Sequence, residues 1–229
     1  MKISGSTSFS GQKIDDDLIS SGSVRLQGNF ECIGLRSSGA FRGGGDLTVH
    51  GDIRSSGAFR LASNLIGDGN AKFSGSTRVG GALMIRGALS NSGALRVGGK
   101  VECQEGVRFT GSSRVHGSVS SQKTIVIDGT ARIEGGIKGG EVYIGHERLF
   151  SRKLLRQPYK VGGSILAKEN VELIGTYVGG DVRGTDVKIG IGTEISGTVY
   201  YVNNIEIHNK AKINHGPIQI TMNDLPNLK

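Results

Sequence analysis

The chain is poor in several residue types on which whole classes of protein depend. It has 229 residues but only 3 prolines, the first at Pro158, and it contains no tryptophan. Collagen-like and proline-rich structures are therefore excluded, because both need abundant proline. Aromatic residues make up 5% of the chain, which argues against a module that stacks nucleic-acid bases on aromatic rings. We therefore expect nucleic acid not to be a partner.

Long apolar runs are also missing. No run approaches the ~18–20 residues with which a helix spans a bilayer, and residues 1–22 lack the apolar centre of a signal peptide. The 2 cysteines, Cys32 and Cys103, lie four coils apart in the repeat described below, or ~19 Å. A disulfide needs Cα atoms within about 7 Å. These absences predict a soluble cytoplasmic protein with two free thiols.

Glycine is abundant instead, with 39 residues, and it is regularly spaced. The heptapeptide RSSGAFR begins at Arg36 and again at Arg54, 18 residues later. Of the 18 positions from 39 to 141 in steps of six, 14 are glycine. Apolar residues follow two and four positions later, as in Phe41, Leu47 and Ile53. The repeating unit is Gly-x-apolar-x-apolar-x.

This unit predicts a short strand and a corner. Apolar residues two apart point to the same side of a strand, and glycine permits the bend or positive φ of a corner. Three units return the chain above its starting point. The sequence therefore predicts an all-β fold, a triangular parallel β-helix of about ten to eleven coils with ~17–18 residues each. Handedness does not follow from the period.

The repeat defines the organisation of the chain. Residues 1–20 are predicted to form an N-terminal cap or an imperfect first coil, and residues 21–145 a first β-helix block. The glycine-free stretch 146–160 (HERLFSRKLLRQPYK) interrupts the pattern as a basic amphipathic insertion. Residues 161–220 resume it as a second block, and residues 221–229 form a short tail.

One outward position of the repeat is always arginine. The net charge is +8, and seven successive coils place an arginine between the two inward residues of one face: Arg25, Arg42, Arg60, Arg78, Arg96, Arg114 and Arg132. Like charges stacked at strand spacing repel unless they are screened or paired. Two interpretations stay open. The column is a solvated face, or it is a basic stripe for anionic lipid, nucleic acid or an acidic side of another protomer.

The insertion interleaves apolar and basic side chains. A contact with a membrane or a partner would use these residues: Leu149, Phe150, Arg152, Lys153, Leu154, Leu155 and Arg156. A basic amphipathic segment can lie on a membrane surface. The same spacing suits a loop that docks on the flank of the solenoid, which is the preferred interpretation for so short a segment.

Catalytic motifs are almost absent. The glycine-rich runs lack the strand-to-helix context and the Lys-Ser/Thr of a phosphate loop, and the histidines form no HxxxH or HExxH pattern. His208 and His215 are 7 residues apart, so a metal site would need a further ligand. The sequence predicts no catalytic residue, no cofactor and no metal site, and the protein is expected not to be an enzyme.

Two known families use 18-residue triangular coils. Hexapeptide-repeat acyltransferases place glycine in a different phase and a small residue where this chain has Phe, Leu, Ile or Val, and no histidine here has an obvious carboxylate to orient it. An acyltransferase that uses His116 is the alternative. The stretch GGDVRGTDVKIGIGTEISGTVYYVNNIEIHNKAKINHGPIQI, Gly179–Ile220, resembles the later coils of bactofilins. Two stretches in the first half of this chain, VGGKVECQEGVRFTGSSRVHGSV and VIDGTARIEGGIKGGEVYIG, also look similar to bactofilins.

The resemblance to the bactofilin family implies a right-handed β-helix that polymerises end to end without nucleotide. Such a cytoskeletal protein scaffolds cell-shape, cell-wall or motility machinery, often at the membrane. Its partners would be further copies of itself, a second bactofilin-like protein, or a membrane surface. This chain departs from the family in having more coils and in the interruption at 146–160.

The solenoid argument leads to polymerisation independently. An uncapped end exposes unpaired N–H and C=O groups together with a slice of core, and is therefore a template for another end. The predicted polymerisation interface contains residues of both terminal coils: Ile205, Ile207, Ile213, Ile218 and Ile220 at the C-terminal end, and Ile3 and Phe9 at the N-terminal end.

Overall fold

The computed structural model describes residues 1–11, 13–145 and 158–225. It is an all-β solenoid of parallel strands, with about 11 coils. In the regular coils each strand pairs with the strand three positions further along the chain, so each of these coils contributes one strand to each of three faces. The predicted parallel β-helix is confirmed. Within the described residues, the helical structure consists of the 3-10 segment Met222–Asp224.

The three faces, here called A, B and C, follow one another along every coil. Face A contains Lys2–Ile3, Leu18–Ser20, Leu35–Ser37, Ile53–Ser55, Ala71–Phe73, Leu89–Asn91, Val107–Phe109, Thr124–Ile127, Glu141–Ile144 and Asn170–Leu173. Face B contains Ser6–Ser10, Ser23–Gln27, Ala40–Gly43, Ala58–Leu61, Ser76–Val79, Ala94–Val97, Ser112–Val115, Ala131–Ile133, Tyr159–Val161 and Thr176–Val178. Face C contains Lys13–Ile14, Phe30–Cys32, Leu47–Val49, Leu65–Gly67, Leu83–Ile85, Val101–Cys103, Val119–Ser121, Ile137–Gly139 and Ile165–Ala167.

The last coils contain longer strands that continue around corners and belong to more than one face. These strands are Val182–Ile189, Glu194–Ile207 and Lys212–Gln219. Their pairing is parallel but shifts register, once between Gly184 and Asp186 and twice between Ile195 and Tyr200. The C-terminal end is therefore less regular than the first eight coils.

Alternation along each strand separates core from surface. In the strand Ile53–Ser55 the first and last residues are buried, and Arg54 between them is exposed. The same alternation recurs on all three faces. Register offsets of 17 to 18 residues stack equivalent residues into columns, as when Lys2 pairs with Ile19 and Ile53 with Ala71. The core is thus a continuous apolar cylinder rather than a central cluster.

Where faces A and B meet, a large side chain on one face is paired with a small side chain on the other. Ser55 ends a face A strand and is followed around the corner by Phe59, whereas one coil later Phe73 is followed by Thr77. All four side chains are buried, and the rings of Phe59 and Phe73 lie 5.9 Å apart across the corner. A ring on one face is therefore accommodated by a small side chain on the other, which keeps the packing dense.

The glycines of the corner between faces A and B act differently from the prediction. Backbone φ is not positive at the stacked glycines Gly22, Gly39, Gly57, Gly75, Gly93, Gly111 and Gly129. Instead, a Cβ added to any of them would collide with the carbonyl oxygen of the glycine one coil below, as Gly75 would with Gly57. Glycine is required there because successive coils approach each other closely. Of the two expected roles of the corner glycines, a bend or a positive φ, the positive φ does not occur at these seven positions.

The boundaries of the solenoid extend slightly beyond the predicted blocks. The strands Lys2–Ile3, Ser6–Ser10 and Lys13–Ile14 form a first coil that pairs with the second. After the insertion, the next strand begins at Tyr159 and its side chain is buried, so the last residues of the predicted insertion 146–160 belong to face B. Ile220 still donates a backbone hydrogen bond to Tyr201 of the coil below. Beyond it the chain leaves the solenoid, and the sulfur of Met222 lies 3.8 Å from the hydroxyl oxygen of Thr185.

Candidate interaction surfaces

The structure brings the seven arginines into one column. Each pairs in register with the next along face B, from Arg25 beside Arg42 to Arg114 beside Arg132, and all seven side chains are exposed. The column continues to Lys160, which pairs with Arg132 across the insertion. We call the seven side chains the arginine column.

Small residues flank the arginine column on both sides. Ala40, Ala58, Ser76 and Ala94 stack two positions before the arginines, and Gly44, Ala62, Gly80 and Gly98 follow two positions after them. Across these four coils the flanking positions contain no carboxylate. The arginines therefore form a ridge on an otherwise flat sheet.

The arginine column lacks counter-charges that other basic residues have. Among the residues that the structure describes, none of the seven makes an ion pair. Carboxylates do contact other lysines and arginines of the described chain, among them Lys13, Arg54, Arg86, Lys100, Arg108, Lys123, Arg183 and Lys188. Face B thus carries an unbroken column of seven arginines without an ion pair among the described residues.

A chain of alternating charge near the corner between faces C and A shows the opposite arrangement. Lys13 lies 3.0 Å from Glu31, Glu31 lies 2.8 Å from His50, His50 lies 2.9 Å from Asp68, and Asp68 lies 3.2 Å from Arg86. Hydrogen bonds to Glu31 and then to Asp68 raise the pKa of His50. The hydrogen bond from His50, followed by that from Lys13, lowers the pKa of Glu31. Each basic side chain of this chain of contacts therefore lies beside a carboxylate.

The C-terminal end exposes part of the core. Ile144, Leu173 and Ile189 form one inward column of face A and are at most 1% exposed. Ile207 ends that column and is 42% exposed. Ile205 and Ile213 are partly buried and pack against the core from the same coil. Since these positions are apolar although no further coil covers them in the described chain, the end is an uncapped slice of core.

Ile218 does not belong to that slice, contrary to the sequence prediction. It pairs with Tyr200 and, through it, extends the outward column that contains Arg183. The guanidinium of Arg183 lies 4.4 Å from the centre of the Tyr200 ring on this surface. The sequence prediction assumed strict alternation, whereas the register shifts before Tyr200 place Ile218 on the flank of face C, where it is 47% exposed. Ile220 follows at the corner and is partly buried.

Within the described chain, no strand or cap covers the N-terminal coil either. Ile3 and Phe9 are partly buried and pack against the core, and the rings of Phe9 and Phe30 lie 5.9 Å apart. The strand Lys2–Ile3 pairs with Leu18–Ser20 on one edge only within the described chain. Both ends of the solenoid thus present inward apolar side chains and an unpaired strand edge.

A broad groove lies along face C. It has a volume of about 870 Å³, and its floor includes the outward side chains of Ile66, Met84 and Leu166 beside Glu102 and Lys138. Neither His50 nor His116 lines it. The groove therefore contains apolar and charged groups but no histidine.

Histidine–carboxylate pairs exist that the sequence analysis missed. Nδ1 of His116 lies 3.0 Å from a carboxylate oxygen of Glu134, so the expectation that no histidine has an orienting carboxylate is wrong. The coil period contained the signal, because Glu134 follows His116 by 18 residues, as Asp68 follows His50. Both histidines lie on exposed surface, outside the groove.

Both cysteines are free and buried. Burial, followed by nearby acidic side chains, raises the pKa of the Cys32 and Cys103 thiols to about 12. Thiols in such apolar surroundings are poor nucleophiles, because the thiolate is the reactive form. They act as small core residues of face C.

The predicted contact residues of the insertion lie outside the described residues: Leu149, Phe150, Arg152, Lys153, Leu154, Leu155 and Arg156. The described part of the chain has no helix that is both long and apolar enough to cross a membrane. Comparison with protein-family models, curated proteins and solved structures gave no match. The resemblance to bactofilins therefore depends on the residues quoted above.

Proposed function

We propose that this chain is a non-enzymatic, bactofilin-like scaffold protein that assembles end to end into filaments without nucleotide. The observation that carries the proposal is the uncapped C-terminal coil. Ile207 continues a core column and remains 42% exposed, although Ile189 directly below it is 1% exposed. A monomeric solenoid needs polar caps at its ends to stay soluble, and this end presents isoleucines instead.

The N-terminal end supplies a second surface of the same kind. Ile3 and Phe9 are inward residues of a coil with an unpaired outer edge. Joining two ends would bury both apolar slices and satisfy the free backbone groups of the edge strands. Because each chain has two such ends, the contact is repeatable and leads to a filament rather than a closed dimer.

The proposal is tested by charging the exposed core position. Ile207→Asp places a carboxylate in the contact, where it would be buried without a partner, and assemblies should dissolve into monomers in analytical ultracentrifugation. Ile33→Asp is the matched control, since Ile33 is 44% exposed but lies on the flank of the second coil. Assemblies that persist in Ile207→Asp, with an unchanged β-sheet circular dichroism spectrum, would refute the C-terminal contact.

A further inference from the structure

The arginine column carries charge that the described chain does not neutralise. Adjacent arginines are in register, so their strands are separated by the ~4.8 Å spacing of a sheet. Like charges at this spacing repel one another. None of the seven has a carboxylate partner among the described residues, although the chain forms such pairs at Arg54, Arg86 and Arg108. An external anion would relieve the repulsion.

The shape of face B limits which kind of anionic partner can contact the whole arginine column. In the four coils from Arg42 to Arg96 the arginines stand above alanine, serine and glycine on both sides, so this part of the column is a ridge without walls. From Arg25 to Arg132 the whole column extends over six strand intervals, or roughly 30 Å. A straight ridge touches a flat surface along its whole length, whereas a linear polymer is held better by a groove.

The chemistry of the face favours phosphate groups on a plane. Guanidinium groups bind phosphate oxygens through two parallel hydrogen bonds. Outward positions of face B between Ser23 and Glu134 contain no Phe, Tyr or Trp, so base stacking of single-stranded nucleic acid has no platform there. We propose that face B docks on the headgroups of an anionic lipid bilayer, with the solenoid axis parallel to the membrane. This proposal does not depend on end-to-end assembly.

The test is flotation of the purified chain with lipid vesicles, which separates bound protein from any protein polymer. We expect binding to vesicles of phosphatidylcholine mixed with phosphatidylserine, little binding to phosphatidylcholine alone, and a decline as salt increases. Each basic residue beside an anionic leaflet contributes about fivefold in affinity. The double variant Arg78→Gln/Arg96→Gln should therefore bind roughly 30-fold more weakly.

The control removes the same charge from another face. Arg54→Gln/Arg108→Gln lowers the net charge equally, and both residues occupy the outward position of face A, so vesicle binding should change little. Equal losses in the two double variants would overturn the proposal, because binding would then follow net charge alone. Binding to duplex DNA that is lost in Arg78→Gln/Arg96→Gln, without binding to anionic vesicles, would also overturn it.

A second readout reports the orientation. A polarity-sensitive dye attached through Ala58→Cys, beside the arginine column, should change its fluorescence on addition of anionic vesicles. The same dye on Ser90→Cys, an outward position of face A, should not. A larger response at Ser90→Cys than at Ala58→Cys would contradict docking through face B.

Discussion

At the scale of single residues, side-chain size at the corner between faces A and B determines how each coil packs. Ser37 precedes Phe41 and Ser55 precedes Phe59, whereas Phe109 precedes Ser113. The hydroxyls of Ser37 and Ser55 are buried and have no hydrogen-bond partner. Because an unpaired buried hydroxyl is unfavourable, we infer that these positions are small in order to admit the neighbouring ring.

This interpretation predicts that the two sizes can be exchanged. Phe59→Thr alone should lower the free energy of unfolding by about 3 kcal/mol through the cavity it leaves, and Ser55→Phe alone by about 1–3 kcal/mol through overpacking. The double variant, which copies the arrangement of Phe73 and Thr77, should lose clearly less free energy of unfolding than the two single variants lose together. Urea unfolding of all three variants measures this, and strict additivity would contradict the exchange.

The alternating charges around His50 predict a pH-dependent contribution to stability. Contacts with Glu31 and Asp68 raise the pKa of His50, so the folded chain holds the proton more tightly than the unfolded chain. The stabilisation is therefore complete below the ordinary histidine pKa of ~6.5 and is lost as pH rises through the raised folded value. His50→Gln should lower the midpoint of thermal unfolding at about pH 5.5 and less at about pH 8.5.

His215→Gln provides the control for this measurement, since His215 is an exposed histidine of the last coil. A loss of the same size and the same pH dependence in His215→Gln would show that the effect comes from removing any histidine rather than from the contacts of His50. If His50→Gln lowers the midpoint of thermal unfolding more at high pH than at low pH, the contacts of His50 do not stabilise its protonated form.

At the scale of strands and corners, the sequence predicted the regular part of the fold well. Inward pairs such as Leu83 and Ile85 are buried, because an 18-residue period keeps these coils in register. It did not predict the reason for the stacked glycines, since their constraint comes from the coil below rather than from local φ. It also misplaced Ile218, because register shifts in the last coils carry no periodic signal.

The close approach of successive coils predicts that alanine destabilises the fold at one glycine and not at another. Gly75→Ala should lower the free energy of unfolding by about 1–3 kcal/mol, since its Cβ would collide with backbone carbonyls of Ser56 and Gly57. Gly5→Ala should be nearly neutral, because nothing lies within 4 Å of the added Cβ. Urea midpoints of the two variants test this, and equal losses would mean that the stacked glycines do not control the coil spacing.

At the scale of the whole molecule, regular stacking produces a rod of roughly 50 Å. Within the described residues its two ends are uncapped, and its face B carries the arginine column without ion pairs. The sequence predicted both features, because terminal isoleucines and a repeated arginine can be identified from the period alone. It could not predict which terminal residues remain exposed, since that depends on where the chain leaves the solenoid after Ile220. Ile207 was therefore distinguished from Ile218 only by the structure.

Electron microscopy of the purified chain without nucleotide tests the central claim most directly. If the uncapped ends join, the micrographs should show unbranched filaments one solenoid wide. Their axial repeat should include the ~4.8 Å spacing of stacked strands, and Ile207→Asp should abolish them. Isolated rods of single-chain length at every protein and salt concentration would contradict end-to-end assembly.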